Sequence, residues 1–182
     1  MKNIGNNVNA KETEDLIKQV ENYLIDVLEK PRPEYEGLPA CPFVKKERIN
    51  NNLMIDIFDN SKESFLDKMK LFVNSDYTDA VFAQVINEPL PTENSKAYQD
   101  FLNRLLKKEF SQYRVIITNP NDRFSVKDFN PRRLAPCFLI VVTNKTKLVK
   151  AHNQMMQSKY FTNFEDDYLK FLNVKKEQLN LK

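Results

Sequence analysis

Glycine is almost absent from this chain, whose 182 residues include only Gly5 and Gly37. Phosphate-binding loops and dinucleotide-binding fingerprints need several backbone positions without a Cβ atom, so the sequence excludes both kinds of site. Histidine and cysteine are nearly as scarce, with only His152, Cys41 and Cys137. These residues cannot supply the four ligands of a structural zinc site, and neither a His-Glu-x-x-His nor a Cys-x-x-Cys spacing occurs. We therefore predict neither a metal site nor a cofactor.

The charges are abundant and nearly balanced. Twenty-eight lysines and arginines stand against twenty-five acidic residues, which leaves a net charge of +3. The basic residues form short clusters separated by acidic ones, whereas nucleic-acid-binding proteins concentrate their basic residues on one face. Nucleic acid is therefore not a predicted partner.

Long apolar runs are also missing. The first fifteen residues lack the apolar core of a signal peptide, and no stretch approaches the ~20 apolar residues that span a membrane. We therefore expect a cytoplasmic protein that makes no use of a membrane. In that compartment Cys41 and Cys137 are expected to be reduced thiols.

Hydrophobic periodicity predicts helices that alternate with strands. Apolar residues recur at helical spacing from residue 11 to residue 29, and Pro31 ends that pattern. The whole pattern predicts a four-stranded mixed sheet packed by about five helices, in a single α/β domain over residues 11–182, with an α+β arrangement as the alternative. Residues 1–10 are polar and aperiodic, and we expect a disordered tail there. The predicted strands are Leu53–Phe58, Ala80–Ile86, Arg114–Thr118 and Pro136–Val142.

Capping residues predict where the later helices begin. The candidates are the group Asp59, Asn60 and Ser61, the pair Pro91 and Thr92, Asn144, and a capping box formed by Thr162 and Glu165.

Two long connections have little predicted secondary structure. Residues 31–52 contain four prolines and Gly37, which exclude a continuous helix or a central strand. Residues 119–135 form a seventeen-residue connection between the third and fourth strands, and connections of that length are often functional. Each connection adjoins a cysteine. We expect them to meet at one edge of the sheet and to form a shallow polar site.

Cys41 is the candidate catalytic residue in the first connection. Lys45, Lys46 and Arg48 follow it closely, and nearby cations stabilise the thiolate, which is the reactive form of cysteine. We predict these three basic residues as ligand-binding residues. The alternative is that Cys41 is a small apolar residue packed under a proline-rich loop.

Arg132 and Arg133 are the candidate anion-binding residues in the second connection. They directly precede a predicted strand, and guanidinium groups at a strand end bind a carboxylate or phosphate in bidentate geometry. Asn119 is a further candidate at the other end of the connection, where Asp122 and Arg123 also lie. The alternative is a solvated loop with two surface arginines.

His152 is the default residue for proton transfer, because its unperturbed pKa lies near neutrality. It also borders the apolar stripe of a predicted helix, where a packed structural histidine is the alternative.

Two short segments resemble thioredoxin-like proteins, including omega-class glutathione transferases. Cys41-Pro42-Phe43 is similar to their active-site segment, and Ala135-Pro136-Cys137-Phe138-Leu139 is similar to the proline segment before a strand. The resemblance implies that Cys41 is a thiol nucleophile and that Pro136 follows a cis peptide bond and faces it.

A broader resemblance is to an uncharacterised bacterial domain-of-unknown-function family. Its members carry a Leu-Cys-Pro-Phe segment, a later His-Pro, and an Asn-Arg-Ser-Pro-Tyr-Pro loop before an apolar strand. Here residues 38–43 are similar to the first motif with two residues inserted, and Asn119-Pro120 stands in place of the His-Pro. Residues 130–136 are similar to the last loop, with Arg132 in place of its arginine. This family implies an architecture and no established activity.

Three functional hypotheses follow from these residues. An enzyme or binding protein with a Cys41-centred polar site for a small anionic ligand predicts a lowered thiol pKa and converging polar groups. A non-catalytic protein-binding or adaptor domain predicts an exposed apolar patch, with Tyr160, Phe161 and Phe164 as candidates. A thioredoxin-like thiol protein predicts a cis peptide bond before Pro136.

Overall fold

The computed structural model describes residues 10–58, 61–84 and 92–172, together with residues 174, 175 and 179. Its helices are α1 (Ala10–Tyr23), α2 (Val44–Ile49), α3 (Lys62–Val73), α4 (Thr92–Glu109), α5 (Lys145–Met156) and α6 (Asp166–Phe171). Its strands are β1 (Pro31–Arg32), β2 (Leu38–Pro39), β3 (Leu53–Phe58), β4 (Asp79–Gln84), β5 (Tyr113–Thr118) and β6 (Phe138–Asn144). A π-helical turn, Leu24–Leu28, extends α1, and short 3-10 helices cover Pro33–Tyr35 and Pro131–Leu134.

Strands β3 to β6 form a four-stranded mixed sheet in the order β3-β4-β6-β5. β3 and β4 pair in parallel, while β6 runs antiparallel to both β4 and β5. β1 and β2 form a separate antiparallel pair inside the first long connection. The predicted α/β domain with a four-stranded mixed sheet is confirmed.

Strand β4 is covered on both faces, as its apolar sequence predicts. Ala80 and Phe82 pack in a core with α3 and α4. Val81 and Ala83 pack on the other face against α1, because successive side chains of a strand point to opposite faces. All six residues of β4 are buried. The sheet therefore separates two hydrophobic cores, and α4 and α1 lie in different layers.

Side-chain caps begin two of the helices. Ser61 accepts a hydrogen bond from the Ser64 amide at the start of α3, and Asn144 accepts one from the Thr146 amide at the start of α5. The last helix differs from the prediction. α6 begins after Glu165, no side chain caps it, and Thr162 lies in the preceding turns, so the predicted capping box is wrong.

Several predictions fall on residues that the structure does not describe. They are the tail over residues 1–9, the cap candidates Asp59 and Asn60, residues 85 and 86 of the second strand, and Pro91. Ala10, which the prediction placed in the tail, is the first residue of α1.

Helix α4 covers the free edge of strand β5 with side-chain amides. Asn103 accepts a hydrogen bond from the Val115 amide at 2.9 Å and donates one to the Val115 carbonyl at 3.1 Å. Gln99 accepts a hydrogen bond from the Ile117 amide at 2.9 Å. The two side chains satisfy backbone groups as a fifth strand would, and they block strand addition at this edge.

The Asn103 side chain is expected to contribute measurably to stability. Asn103→Leu leaves the amide and carbonyl of the buried Val115 without partners, and we expect the free energy of unfolding to fall by about 1 kcal/mol. Urea denaturation measures it. Arg104→Leu changes an exposed neighbour on α4 and should leave stability within about 0.5 kcal/mol of the starting protein. Equal effects of the two variants would contradict the edge-capping role.

A third core lies away from the sheet and is rich in aromatic rings. It joins the first long connection, the second long connection and the segment that contains α6. Tyr35 contacts three rings, those of Phe129, Tyr160 and Phe164, at centroid distances of 6.2, 5.1 and 5.6 Å. The Tyr160 hydroxyl donates a hydrogen bond to the Ala40 carbonyl at 2.5 Å. This aromatic core fixes the two connections against each other.

Candidate functional site

The two long connections meet, as the sequence predicts, but they meet in the aromatic core, whose buried residues come from outside the four-stranded sheet, and not at the predicted sheet edge. The Arg32 guanidinium lies over the Phe129 ring, 4.4 Å from its centroid. At the surface, Lys127 Nζ lies 3.7 Å from Glu36 Oε1. The interior of the junction is the aromatic core, and the cavity described below is lined by residues of the second connection alone.

The second connection turns back on itself in a tight hairpin over residues 126–129. Val126 and Phe129 exchange both backbone hydrogen bonds, at 2.9 and 3.0 Å. The central residues Lys127 and Asp128 have φ values of 46° and 65°, the signature of a type I′ turn. Lysine rarely adopts this left-handed conformation, and strain of this kind occurs preferentially at functional sites. The turn projects Asp128 and Phe129 beside the cavity described next.

A shallow, open cavity of about 350 Å³ lies on the second connection. Its size falls at the lower end of the range of small-molecule sites. The wall is mixed in character, with two arginines, a carboxylate, two neutral polar side chains and two apolar side chains. The lining residues are Arg123, Ser125, Asp128, Phe129, Asn130, Arg133 and Leu134.

Aromatic stacking positions Arg123 at the cavity. Its guanidinium lies over the Phe124 ring, 5.7 Å from the centroid. Phe124 in turn stacks on Tyr168 of α6, with a centroid distance of 5.1 Å and an interplanar angle of 13°. The aromatic core thereby supports a charged side chain at its surface.

Arg132 and Arg133 have opposite environments although they are neighbours. The buried Asn130 side chain accepts hydrogen bonds from the amides of both residues and so begins the 3-10 helix. Arg132 turns inward, where it pairs with the buried carboxylate of Asp122 and hydrogen-bonds Tyr168. Arg133 is exposed and lines the cavity. Only Arg133 of the two is therefore placed to bind a ligand.

The charged groups around the cavity do not neutralise one another. Within the part of the chain that the structure describes, no carboxylate lies within 4.0 Å of the Arg123 or Arg133 guanidinium, and no cation lies within 4.0 Å of the Asp128 carboxylate. Unpaired guanidinium groups are weakly hydrated donors with a fixed fork geometry. Among the described residues, the cavity therefore carries two guanidinium groups without carboxylate partners.

Cys41 does not line this cavity, and its environment opposes thiolate formation. The residue is half-buried, and its amide donates a hydrogen bond to the Leu28 carbonyl at 2.9 Å. Burial raises the pKa of the Cys41 thiol and outweighs the lowering effect of hydrogen bonds from the backbone amides of Phe43 and Val44, while the carboxylates of Asp79 and Glu29 add a smaller increase. The predicted lowering of this thiol pKa is wrong.

The basic residues near Cys41 are directed elsewhere. Arg48 binds Glu29 in bidentate geometry, with Nε and Nη2 at 2.6 and 2.9 Å from the two carboxylate oxygens. Lys45 and Lys46 are exposed on α2 and do not line the cavity. The positive charge of Arg48 is therefore paired with Glu29.

Cys137 is half-buried, and Pro136 lacks the cis peptide bond that the thioredoxin-like resemblance implies. Burial raises the pKa of the Cys137 thiol to about 12. Among the described residues every peptide bond is trans, including the one before Pro136, so the expected cis peptide bond is absent. Cys41 and Cys137 are both free thiols.

Asn119 and His152 have structural surroundings. Asn119 is buried, donates a hydrogen bond to Ser95 Oγ at 2.5 Å and accepts one from the Asn121 amide at 3.0 Å. His152 is half-buried on α5, with its ring 6.1 Å from the Phe161 ring. Neither residue lines the cavity.

The apolar patch predicted for an adaptor function is not at the surface. Tyr160, Phe161 and Phe164 retain 8%, 3% and 6% of their accessible surface and belong to the aromatic core. Their apolar side chains stabilise the fold, and the prediction of an exposed patch is wrong at these three positions.

The described residues contain neither a candidate membrane span nor a candidate metal site. No helix there has both the length and the apolar character to cross a bilayer. No group of three or more His, Cys, Asp and Glu side chains there is placed to hold a metal ion.

Of the seven lining residues, the sequence predicts only Arg133 as a binding residue. Arg123 was noted only for its place in the long connection, and Ser125 and Asp128 carried no signal. The Lys-Asp pair inside a short apolar hairpin, Val126 to Phe129, is the one pattern that indicates their arrangement.

Comparison of the chain with protein-family models, curated proteins and solved structures gave no match in any of the three searches.

Proposed function

We propose that this protein is a cytoplasmic binding protein for a small anionic molecule, which it holds at the cavity between Arg123 and Arg133. The single observation that carries the proposal is the presence of two arginines without carboxylate partners, among the described residues, on one cavity. Carboxylate and phosphate groups match the guanidinium fork in charge and geometry.

The surroundings of the two arginines support this function. Asn130 fixes the backbone that carries Arg133, and the stack of Phe124 on Tyr168 supports Arg123. Ser125 adds a neutral hydrogen-bonding group to the same wall. Because the Asn130 side chain already holds the backbone at Arg133, binding has less backbone entropy to overcome at that residue.

The raised pKa of the Cys41 thiol supports a binding role over thiol catalysis at this site. The mixed distribution of charge favours a small molecule over nucleic acid. The free thiols of Cys41 and Cys137 fit a reducing compartment, which supports the cytoplasmic assignment.

Isothermal titration calorimetry with phosphate and with glutarate, at low ionic strength, tests the proposal. Arg123→Met and Arg133→Met each remove one guanidinium while keeping most of the side-chain volume, and we expect each to weaken the binding of glutarate at least tenfold. Arg104→Met removes an exposed arginine from α4, far along the chain from the cavity, and serves as the matched control. Its affinity should equal that of the starting protein.

If neither anion binds, or if the two cavity variants bind as tightly as Arg104→Met, the cavity is not an anion site. Circular dichroism of each variant confirms that a loss of binding does not come from a loss of folding.

A further inference from the structure

Asp128 gives the cavity a charge pattern that a simple anion does not satisfy. Its carboxylate lines the same wall as the two arginines, is exposed, and has no cation within 4.0 Å among the described residues. A phosphate or a plain dicarboxylate bound beside it would place like charges close together, which weakens binding. The Asp128 carboxylate therefore favours a ligand that carries a positive group beside its negative groups.

The backbone holds Asp128 at this position. It is the second central residue of the type I′ turn, with a φ of 65°, and the hydrogen bonds between Val126 and Phe129 close the turn on both sides. Aspartate and asparagine tolerate this left-handed conformation better than most residues. The carboxylate is thus carried by a short, defined turn rather than by a long flexible segment.

Among the described residues, neither arginine of the cavity forms an ion pair with Asp128. Arg123, Asp128 and Arg133 share one cavity, yet neither guanidinium approaches the carboxylate to within 4.0 Å. Because the two cations and the anion are not paired with one another, each can pair with a ligand bound in the cavity. The complementary charge set is two negative groups and one positive group, with a net charge of −1.

We propose that the ligand is a small α-amino dicarboxylate, a molecule of the aspartate and glutamate class; this inference rests on the proposed function. Its two carboxylates pair with Arg123 and Arg133, and its ammonium group pairs with Asp128. Phe129 and Leu134, the apolar part of the wall, contact the methylene groups between the charges. A class of two carboxylates is favoured over one phosphate because the two guanidiniums come from separate segments, one on each side of the hairpin turn.

The test compares glutamate with glutarate, which has the same two carboxylates and no ammonium group. We expect the protein to bind glutamate about tenfold more tightly than glutarate, because an ammonium paired with Asp128 is worth about one charged hydrogen bond. Asp128→Asn removes the charge and keeps a residue that accepts a positive φ. In this variant the affinity for glutamate should fall to that for glutarate, while the affinity for glutarate stays equal or increases.

The outcomes separate this inference from the proposed function. Asp100→Asn removes an exposed carboxylate on α4 and should leave the tenfold preference unchanged. Equal binding of glutamate and glutarate by the starting protein, or a preference that survives Asp128→Asn, overturns the amino-dicarboxylate assignment and leaves the anion site standing. Failure of both ligands to bind overturns both proposals.

Discussion

Arg132→Met is expected to lower the free energy of unfolding by about 3 kcal/mol, although the substitution lies in a connection between strands. The Arg132 side chain is 17% exposed and that of its partner Asp122 only 3% exposed. Removal of the guanidinium leaves the Asp122 carboxylate charged in a nearly dry environment and removes a hydrogen bond to Tyr168. An uncompensated buried charge of this kind is among the most destabilising single changes.

The neighbouring residue provides the matched control. Arg133→Met makes the same chemical change at an exposed side chain, and we expect it to alter stability by less than about 0.5 kcal/mol. Urea denaturation of both variants measures the difference. The double variant Arg132→Met, Asp122→Asn should recover part of the loss, because it removes the stranded charge. Equal unfolding midpoints for the two single variants would refute the assignment of Arg132 to structure and Arg133 to the surface.

This pair of arginines shows where sequence reasoning stops. Adjacent arginines in a polar loop have identical sequence signals, and only the geometry of the 3-10 helix and the position of Asp122 decide which one turns inward. The same limit applies to Cys41. Nearby cations in the sequence predicted a thiolate, but Arg48 pairs with Glu29, nineteen residues away, and burial decides the protonation state.

The sheet was predictable because its strands depend on local pattern. β3 has the predicted bounds, and β4, whose four central residues are apolar, is covered on both faces. The third core was not predictable to the same degree. The rings of Tyr160 and Phe164 could belong to a surface patch or to a core, and the choice depends on Tyr35, more than a hundred residues earlier in the chain. Long-range contacts of this kind have no local signature.

A second ion cluster connects α2, α5 and the start of β4. Lys147 Nζ lies 2.8 Å from Glu47 Oε2 and also contacts the Asp79 carboxylate. Asn52 donates a hydrogen bond to Glu47 at 3.1 Å, and Thr78 lies within hydrogen-bond distance of both carboxylates. One lysine thus holds two buried acidic side chains together.

Because of this cluster, the free energy of unfolding is expected to fall both in acid and at high pH. Burial by itself raises the pKa of Glu47, but hydrogen bonds from Lys147 and Asn52 outweigh it and lower that pKa below 4.5. A lowered folded-state pKa contributes stability above about pH 4.5 that is lost as the pH falls through the folded value. Burial lowers the pKa of Lys147, but its hydrogen bonds to Asp79 and Glu47 raise it above 10.5 overall. Its contribution is therefore complete below about pH 10.5 and is lost at higher pH.

Lys147→Met should reveal this cluster through its pH dependence. At pH 7 we expect a loss of about 2 kcal/mol, less than for a fully buried pair because the Lys147 side chain is 34% exposed. The variant leaves Glu47 and Asp79 as adjacent like charges without their shared cation, and protonation in acid relieves their repulsion. The stability difference between the variant and the starting protein should therefore shrink as the pH falls below about 4.5.

Urea denaturation at pH 7 and at pH 4 measures that change. The control is Lys150→Met, which replaces an exposed lysine of the same helix. We expect this control to lose no stability at either pH. The two explanations for a loss at pH 7 predict different pH profiles. Loss of side-chain packing alone gives a difference that is the same at both pH values, whereas two stranded carboxylates give one that narrows in acid. A constant difference would therefore mean that Lys147 acts through its methylene chain, and the charges of Glu47 and Asp79 would then have to be stabilised by Asn52 and Thr78.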